Sequence, residues 1–165
     1  MDGISSLGGL FSFKPKQSKK DKLKQEKTEK GAFSSAVKEA EAEKAATDLG
    51  LEVFPEIDSG VPLEELLDSV HELGEKVKKN TQFSVLRQYK RAVQKFLYAV
   101  VKKTVIIEET VSGINIMKRK RFSMIKVVDE KLNRLVTGVL QNQRSQLDIL
   151  RRIDEINGML VDFFT

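Results

Sequence analysis

The sequence predicts an all-α protein, a small helical bundle or array with a disordered basic N-terminal tail. Apolar residues recur at intervals of three and four over several long segments after residue 61, the spacing that gathers side chains on one face of a helix. The chain of 165 residues contains three prolines and no tryptophan, which suits helices. Because this length is enough for one domain with a single core, we assign residues 62–165 to one helical bundle domain.

The predicted tail comprises residues 1–30. It contains eight lysines and four acidic residues, and after Phe13 its only large apolar side chain is Leu23. A segment this polar cannot bury enough apolar surface to fold alone, so we expect disorder. The apolar first residues, followed by lysines, would also suit a weak membrane-surface anchor, but they are few and interrupted by glycine. No apolar run in the chain approaches the roughly 20 residues of a membrane span.

Residues 31–61 are predicted to hold a marginal acidic helix and a linker. Residues 31–49 are rich in Ala and Glu but offer only a thin apolar face. The stretch 51–61, which contains Pro55 and Gly60, reads as extended.

The first clear helix is predicted to begin at Pro62, because the fixed φ of proline suits the first helical position. Glu64 and Glu65 follow where the helix dipole favours acidic side chains. A break and a new start are expected near Asn80 and Thr81. The apolar stripe of this helix consists of Leu63, Leu66, Leu67, Val70, Leu73 and Val77.

A second helix is predicted over residues 82–104. The β-branched run at 104–107 lowers helix propensity, so we expect fraying or a bend near Val105. Gly113 and the string MKRKRF at 117–122 are predicted to form a loop.

Helical spacing resumes from residue 123 to residue 163, with a polar interruption, QNQRSQ, at 141–146. Two structures fit this pattern. One is a continuous helix of roughly 40 residues, about 60 Å long at about 1.5 Å per residue, and the other is a hairpin with a tight turn near residues 142–145. Because the interruption contains neither glycine nor proline, we favour the continuous helix.

Charge is sorted along the chain. Residues 31–75 hold twelve acidic residues against two lysines, whereas residues 76–126 hold fourteen basic residues against two glutamates. Such asymmetry concerns association and solubility more than chemistry. The candidate acidic interaction face consists of Glu64, Glu65, Asp68, Glu72 and Glu75. The candidate basic interaction face consists of Arg87, Lys90, Arg91, Lys95 and Lys102 on the second helix, together with Lys118, Arg119, Lys120 and Arg121 in the MKRKRF string.

Two uses of these faces are open. They could contact a partner protein or a second copy, or the basic face could bind nucleic-acid phosphates, with Tyr98 placed to stack on a base. Phosphate contacts carry no sequence information, and no known nucleic-acid-binding motif is visible. The prediction is therefore a non-enzymatic helical interaction or scaffold protein, and the alternative is a non-specific nucleic-acid binder.

Catalytic signatures are lacking. The chain has no cysteine and one histidine, His71, which lies at the edge of an apolar stripe without a recognisable nucleophile nearby. No phosphate-binding glycine motif occurs. We expect no enzymatic activity, cofactor, metal or small-molecule substrate, and a cytoplasmic protein, because the N-terminus does not resemble a secretory signal.

Three apolar stripes resemble a known protein family in their detailed residue pattern. They are Tyr89-Lys90-x-x-Val93-x-x-Phe96-Leu97, Ile125-Lys126-Val127-Val128-Asp129-x-x-Leu132-x-x-Leu135, and the most specific block, Leu147-Asp148-x-Leu150-x-x-Ile153-x-x-Ile156-x-Gly158-x-Leu160-Val161-Asp162. Over about residues 62–165 the chain resembles the YaaR-like family of small bacterial proteins. The resemblance implies a bacterial, cytoplasmic, all-helical protein of unknown function, and it supplies no catalytic or binding residues.

Overall fold

The computed structural model describes the backbone of residues 19–58, 60–108 and 115–164, and the side chains of residues 31–58, 60–106 and 116–164. This part of the chain folds into five α-helices and a final 3₁₀ turn, without a strand, which confirms the all-α prediction. The elements are α1 (Lys19–Asp48), α2 (Leu63–Lys79), α3 (Phe83–Glu108), α4 (Asn115–Leu140), α5 (Gln146–Val161) and the 3₁₀ turn Asp162–Phe164.

Helix α1 crosses the boundary between two compact units, Met1–Ala36 and Val37–Thr165. It begins at Lys19, inside the segment for which the sequence predicts disorder, and residues 1–18 of that segment lie outside the described residues. Lys, Glu and Gln dominate residues 19–30, and all three are good helix formers. In the second unit, α1 buries Ala42 and Ala46 completely, so the thin apolar face of this helix still contributes to the core.

The predicted linker has neither helix nor strand among its described residues, and it contains two turns, closed by hydrogen bonds from the N–H of Ile57 to Phe54 and from the N–H of Val61 to Asp58. It nevertheless belongs to the core. Gly50 has a φ of +78°, and the N–H groups of Gly50 and Leu51 donate to the carbonyls of Thr47 and Ala46, which is the Schellman arrangement that ends a helix. The chain then runs back along the bundle and buries Leu51, Phe54 and Ile57.

Helices α2 and α3 form a hairpin, and α5 packs against α2. The approach is close at Gly74, where an added Cβ would lie 3.1 Å from Nδ2 of Asn157 and 3.2 Å from Cγ2 of Ile153. The hydroxyl of Tyr89, a fully buried residue, donates to Oδ1 of Asn157 at 2.9 Å. This hydrogen bond connects α3 to α5 beside the glycine.

Two predictions about helix ends are wrong. Helix α3 extends to Glu108, because Val101 and Val105 are buried and tertiary burial outweighs the low propensity of β-branched residues. The MKRKRF string is helical and not a loop, since α4 begins at Asn115. Met, Lys and Arg are good helix formers, and no glycine or proline follows Gly113 in this stretch.

The preference for one continuous C-terminal helix is also wrong, because residues 141–145 form the turn of a hairpin. Asn142 has a φ of 50°, a left-handed conformation that asparagine tolerates better than most residues. The hydroxyl of Ser145 accepts a hydrogen bond from the N–H of Asp148 at 3.2 Å and caps α5. Asparagine and serine thus provide the break that glycine or proline provides elsewhere.

Candidate interaction surface

The predicted acidic face lies on α2, as the sequence indicates. All five of its members, Glu64, Glu65, Asp68, Glu72 and Glu75, are exposed. Lys76 and Lys78 contact two of them: Nζ of Lys76 lies 2.7 Å from Glu72, and Nζ of Lys78 lies 2.6 Å from Glu75. The hydrogen bond from Lys76 holds the pKa of Glu72 below its ordinary value. Glu65 and Asp68 have no ion-pair partner among the described residues.

Lys102 does not belong to an exposed basic face. Its side chain is only 4% exposed, and Nζ donates to Oε1 of Glu39 and to the carbonyl of Ile57, both at 2.8 Å. Burial lowers the pKa of Lys102. The hydrogen bond to Glu39 and the electrostatic attraction of nearby acidic groups outweigh this effect and raise the pKa above its ordinary value. Lys102 therefore binds groups of its own chain and is not part of an exposed surface.

Tyr98 is likewise unavailable to a ligand, because it is completely buried. Its ring meets the ring of Phe54 edge-on, with centroids 6.0 Å apart. Burial raises the pKa of its hydroxyl. The linker therefore covers the C-terminal half of the face that the helical pattern of α3 presents as basic.

The linker also reaches the next turn of that face. The charged groups of Arg91 and Lys95 lie 5.8 and 5.6 Å from the centre of the Phe54 ring, within reach of cation–π attraction. Lys95 additionally pairs with Glu56 at 3.2 Å. Backbone hydrogen bonding and the bond from Lys95 lower the pKa of Glu56. Part of the opposite charge in the two segments is thus neutralised inside one chain.

The remaining predicted cations, Lys118, Arg119, Lys120 and Arg121, occupy the first turns of α4. Arg119, Lys120 and Arg121 are exposed, and Lys118 is half-buried with Nζ 5.7 Å from the centre of the Phe122 ring. Three α3 cations, Arg87, Lys90 and Arg91, lie near the other end of α4, where Val136 borders the same cavity. From Lys118 to Val136 the helix rises about 27 Å at about 1.5 Å per residue. The nine predicted cations are therefore divided among three places.

Two cavities flank Arg91. The first, which we call the basic groove, has a volume of about 380 Å³. Phe83 is 41% exposed at its border, and the guanidinium of Arg87 lies 4.9 Å from the centre of that ring. The groove is lined by Glu52, Phe83, Arg87, Lys90, Arg91, Gln94 and Val136.

The second cavity, which we call the α2–α3 groove, also has a volume of about 380 Å³. Leu66, Leu73 and Ala92 provide its apolar surface, and all three are half-buried. Arg91 and Lys95 lie on the α3 side, and Ser69 and Gln88 complete the lining. The sequence assigns the two leucines to a buried stripe, because helical periodicity identifies the apolar face but not the part of it that a neighbour leaves uncovered.

A third cavity, of about 480 Å³, lies along α4. Its border holds Asp129, which is half-buried and accepts a hydrogen bond from Asn133 at 2.9 Å. Burial raises the pKa of Asp129. Arg144 closes the other end by crossing Gly138 and bonding Asp148 at 2.5 Å, so this cavity follows from the way the α4–α5 turn is held.

No group of three or more metal-ligating side chains occurs in the described part of the chain. His71 is half-buried on α2. None of the described helices has the length and apolar character needed to cross a membrane.

The fold is thus that of an all-helical protein, and sequence comparison gives its family. The family model described as "Protein of unknown function (DUF327)" matches residues 12–164, and the chain belongs to this family. A similar curated protein is the "Uncharacterized protein YaaR" of Bacillus subtilis (strain 168), which is 27% identical over 104 residues, or 62% of this chain and 70% of that protein. These findings confirm the YaaR-like resemblance. No solved structure matches the chain.

Proposed function

We propose that this protein is a non-enzymatic interaction or scaffold protein that uses the α2–α3 groove to dock a partner. The observation that supports this proposal is an apolar groove between two helices, formed by Leu66, Leu73 and Ala92 and bordered on one side by Arg91 and Lys95. Protein–protein contact regions combine an apolar centre with a polar rim. The groove has this arrangement on a small scale.

An amphipathic helical surface suits such a groove. Two packed helices leave a furrow parallel to their axes, and helices of a partner can insert side chains spaced at three and four residues. Leu66 and Leu73 are seven residues apart on α2 and lie on one face, so they present two successive apolar sites along the furrow.

The test is a pull-down from native lysate with a matched pair of variants. Ser69 is exposed and lines the groove, and Ser123 is exposed on α4 away from it. Ser69→Arg should block the groove without disturbing the core, whereas Ser123→Arg makes the same chemical change elsewhere. We expect nuclease-resistant protein capture by the wild type and by Ser123→Arg, and its loss with Ser69→Arg. Equal capture by all three proteins contradicts the proposal.

A second candidate function is non-specific nucleic-acid binding by the basic groove. The observation that favours it is the placement of Arg87, Lys90 and Arg91 beside the partly exposed ring of Phe83, since cations with an adjacent aromatic ring suit single-stranded nucleic acid. Against it, Glu52 lines the same groove. The other predicted cations lie elsewhere, so the described side chains form no continuous basic track for a long strand. Binding measurements with three-cation variants, argued in the Discussion, test this candidate.

A further inference from the structure

We infer that the occupant of the α2–α3 groove is the same groove of a second copy of this chain, so that the protein forms a two-fold symmetric dimer. The inference rests on the proposed function, because it names the partner of that same surface. It depends on how charge is distributed about the groove.

The two sides of the groove carry opposite charge. On the α2 side the exposed residues around Ser69 include Glu65, Glu72 and Lys76, of which Lys76 pairs with Glu72, so these three keep a net negative charge. On the α3 side Arg91 and Lys95 line the cavity. The apolar surface lies between these two rims. Acidic and basic rims that flank an apolar strip are self-complementary, which is the requirement for an interface formed by the same patch on both subunits.

The hairpin geometry gives the symmetry operation. Helices α2 and α3 are antiparallel and joined by the short segment 80–82. A two-fold axis along the groove, parallel to both helices, places α2 of each copy over α3 of the other and preserves height along the axis. The acidic rim of each copy then meets the basic rim of the other, and the four helices form an antiparallel bundle in which every neighbour contact resembles ordinary helix packing.

The existing ion pairs leave these rims available. Glu65 lacks an ion-pair partner among the described residues, and the Lys76–Glu72 pair is exposed at both side chains. The pair formed by Lys95 and Glu56 is partly exposed to solvent, with Glu56 52% exposed, and exposed pairs contribute little to stability. Exchange of this contact for one across the interface therefore has a small cost.

Other occupants fit the charge pattern less well. A nucleic-acid strand in this groove would meet the carboxylates of the α2 rim, and an acidic helix would meet the same repulsion. A uniformly basic helix would face Arg91 and Lys95. A surface matches both rims when it carries a basic edge opposite the acidic rim and an acidic edge opposite the basic rim. The second copy has such a surface.

Charge reversal with complementation tests the dimer. The acid-reversed variant carries Glu65→Lys and Glu72→Lys, and the base-reversed variant carries Arg91→Glu and Lys95→Glu. In sedimentation velocity at low salt, the wild type should dimerise. Each variant alone should have a dimer dissociation constant at least about tenfold higher. An equimolar mixture should restore a dimer, because the reversed rims are complementary to each other. A merely misfolded variant could not produce this rescue.

Two reversals outside the groove provide the controls. Glu64→Lys with Glu130→Lys changes two exposed acids, and Arg119→Glu with Arg121→Glu changes two exposed bases on α4. Both should leave the dimer intact, and circular dichroism should show all four variants to be folded. A reversal outside the groove that weakens the dimer as much as those inside it would overturn the assignment of this interface.

The remaining outcomes separate the two proposals. A wild type that stays monomeric at low salt and about 100 µM protein, far above the dissociation constants of most stable dimers, overturns the dimer. If Ser69→Arg nevertheless loses a nuclease-resistant protein partner from lysate, the groove docks a different protein and the proposed function stands. If Ser69→Arg alters neither self-association nor capture, both proposals are wrong.

Discussion

Nζ of Lys102 lies 2.8 Å from Oε1 of Glu39, in an ion pair whose lysine side chain is 4% exposed and whose glutamate side chain is 56% exposed. The pair joins the C-terminal half of α1 to α3. The carbonyl of Ile57 accepts a second hydrogen bond from the same Nζ, so one lysine fastens both α1 and the linker to the bundle.

Removing Glu39 should weaken this attachment. Loss of one partner from a fully buried ion pair costs roughly 3–5 kcal/mol, but Glu39 is more than half exposed, and Lys102 keeps its bond to Ile57. We therefore expect Glu39→Ala to lower the free energy of unfolding by about 1–2 kcal/mol, as measured by urea denaturation. Glu41→Ala, an exposed neighbour on α1, is the control. Equal effects of the two substitutions would show that the ion pair contributes nothing measurable.

The same pair predicts a pH dependence. The pKa of Lys102 in the folded protein lies above its ordinary value of 10.5, so its stabilising contribution is complete below about pH 10.5. It is lost as the pH rises through the higher folded-state value. The stability difference between wild type and Glu39→Ala should accordingly be constant from pH 7 to pH 9 and shrink above pH 10.5. A difference that shrinks already near neutral pH would contradict this assignment.

The sequence predicts the fold class and the two central helices because periodic apolar residues at Val70, Val77, Leu86 and Val93 leave little choice of face. It does not predict the α4–α5 hairpin, since Asn142 and Ser145 are weaker breakers than glycine or proline. Local patterns cannot show that a distant segment covers part of a helix.

The candidate basic face shows this last limit most clearly. Lys102 and Arg91 lie on the same side of α3 by helical periodicity, yet the linker buries the first and leaves the second exposed. The α2–α3 groove was equally inaccessible to sequence reasoning. Leu66 and Leu73 have the spacing of core residues, and only the packed structure shows that they remain half-buried.

Two helical glycines should respond in opposite ways to alanine. Gly158 has open space around an added Cβ, so Gly158→Ala should raise the free energy of unfolding by about 0.5–1 kcal/mol through better helix propensity. At Gly74 the added Cβ would lie 3.1–3.3 Å from Asn157, Ile153 and Tyr89. The Tyr89–Asn157 hydrogen bond fixes two of these neighbours. Gly74→Ala should therefore lower the free energy of unfolding by about 1 kcal/mol, even after the gain in helix propensity is included. Thermal unfolding measures both, and stabilisation by Gly74→Ala would show that α2 and α5 can separate slightly at little cost.

The turn between α4 and α5 should depend on Ser145. Its hydroxyl accepts from the N–H of Asp148, and loss of such a helix cap costs about 1 kcal/mol. We expect Ser145→Ala to destabilise the protein by that amount and Ser145→Asp to retain most of the stability, since aspartate is also a good cap. Chemical denaturation of the three proteins compares them. If Ser145→Asp is as unstable as Ser145→Ala, the cap does not explain why α5 begins at Gln146.

The last prediction concerns the basic groove and decides whether its charge binds phosphates. If Arg87, Lys90 and Arg91 contact a nucleic-acid backbone, the binding constant should fall steeply with salt, and replacing all three with alanine should reduce the log–log salt slope by roughly two to three. Fluorescence anisotropy with a labelled single strand and a labelled duplex measures this dependence. The matched control replaces Arg119, Lys120 and Arg121 with alanine, which removes the same charge from the distant start of α4 and should leave the slope nearly unchanged.

The exposed ring of Phe83 favours the single strand over the duplex, because only unpaired bases can stack on it. Equal loss of slope in both triple variants would indicate a diffuse attraction to net charge without a defined groove. Absence of binding by the wild type at tens of micromolar protein and low salt, where non-specific binders with dissociation constants of about 10⁻⁶ to 10⁻⁴ M are detectable, would exclude nucleic acid as a ligand of this groove.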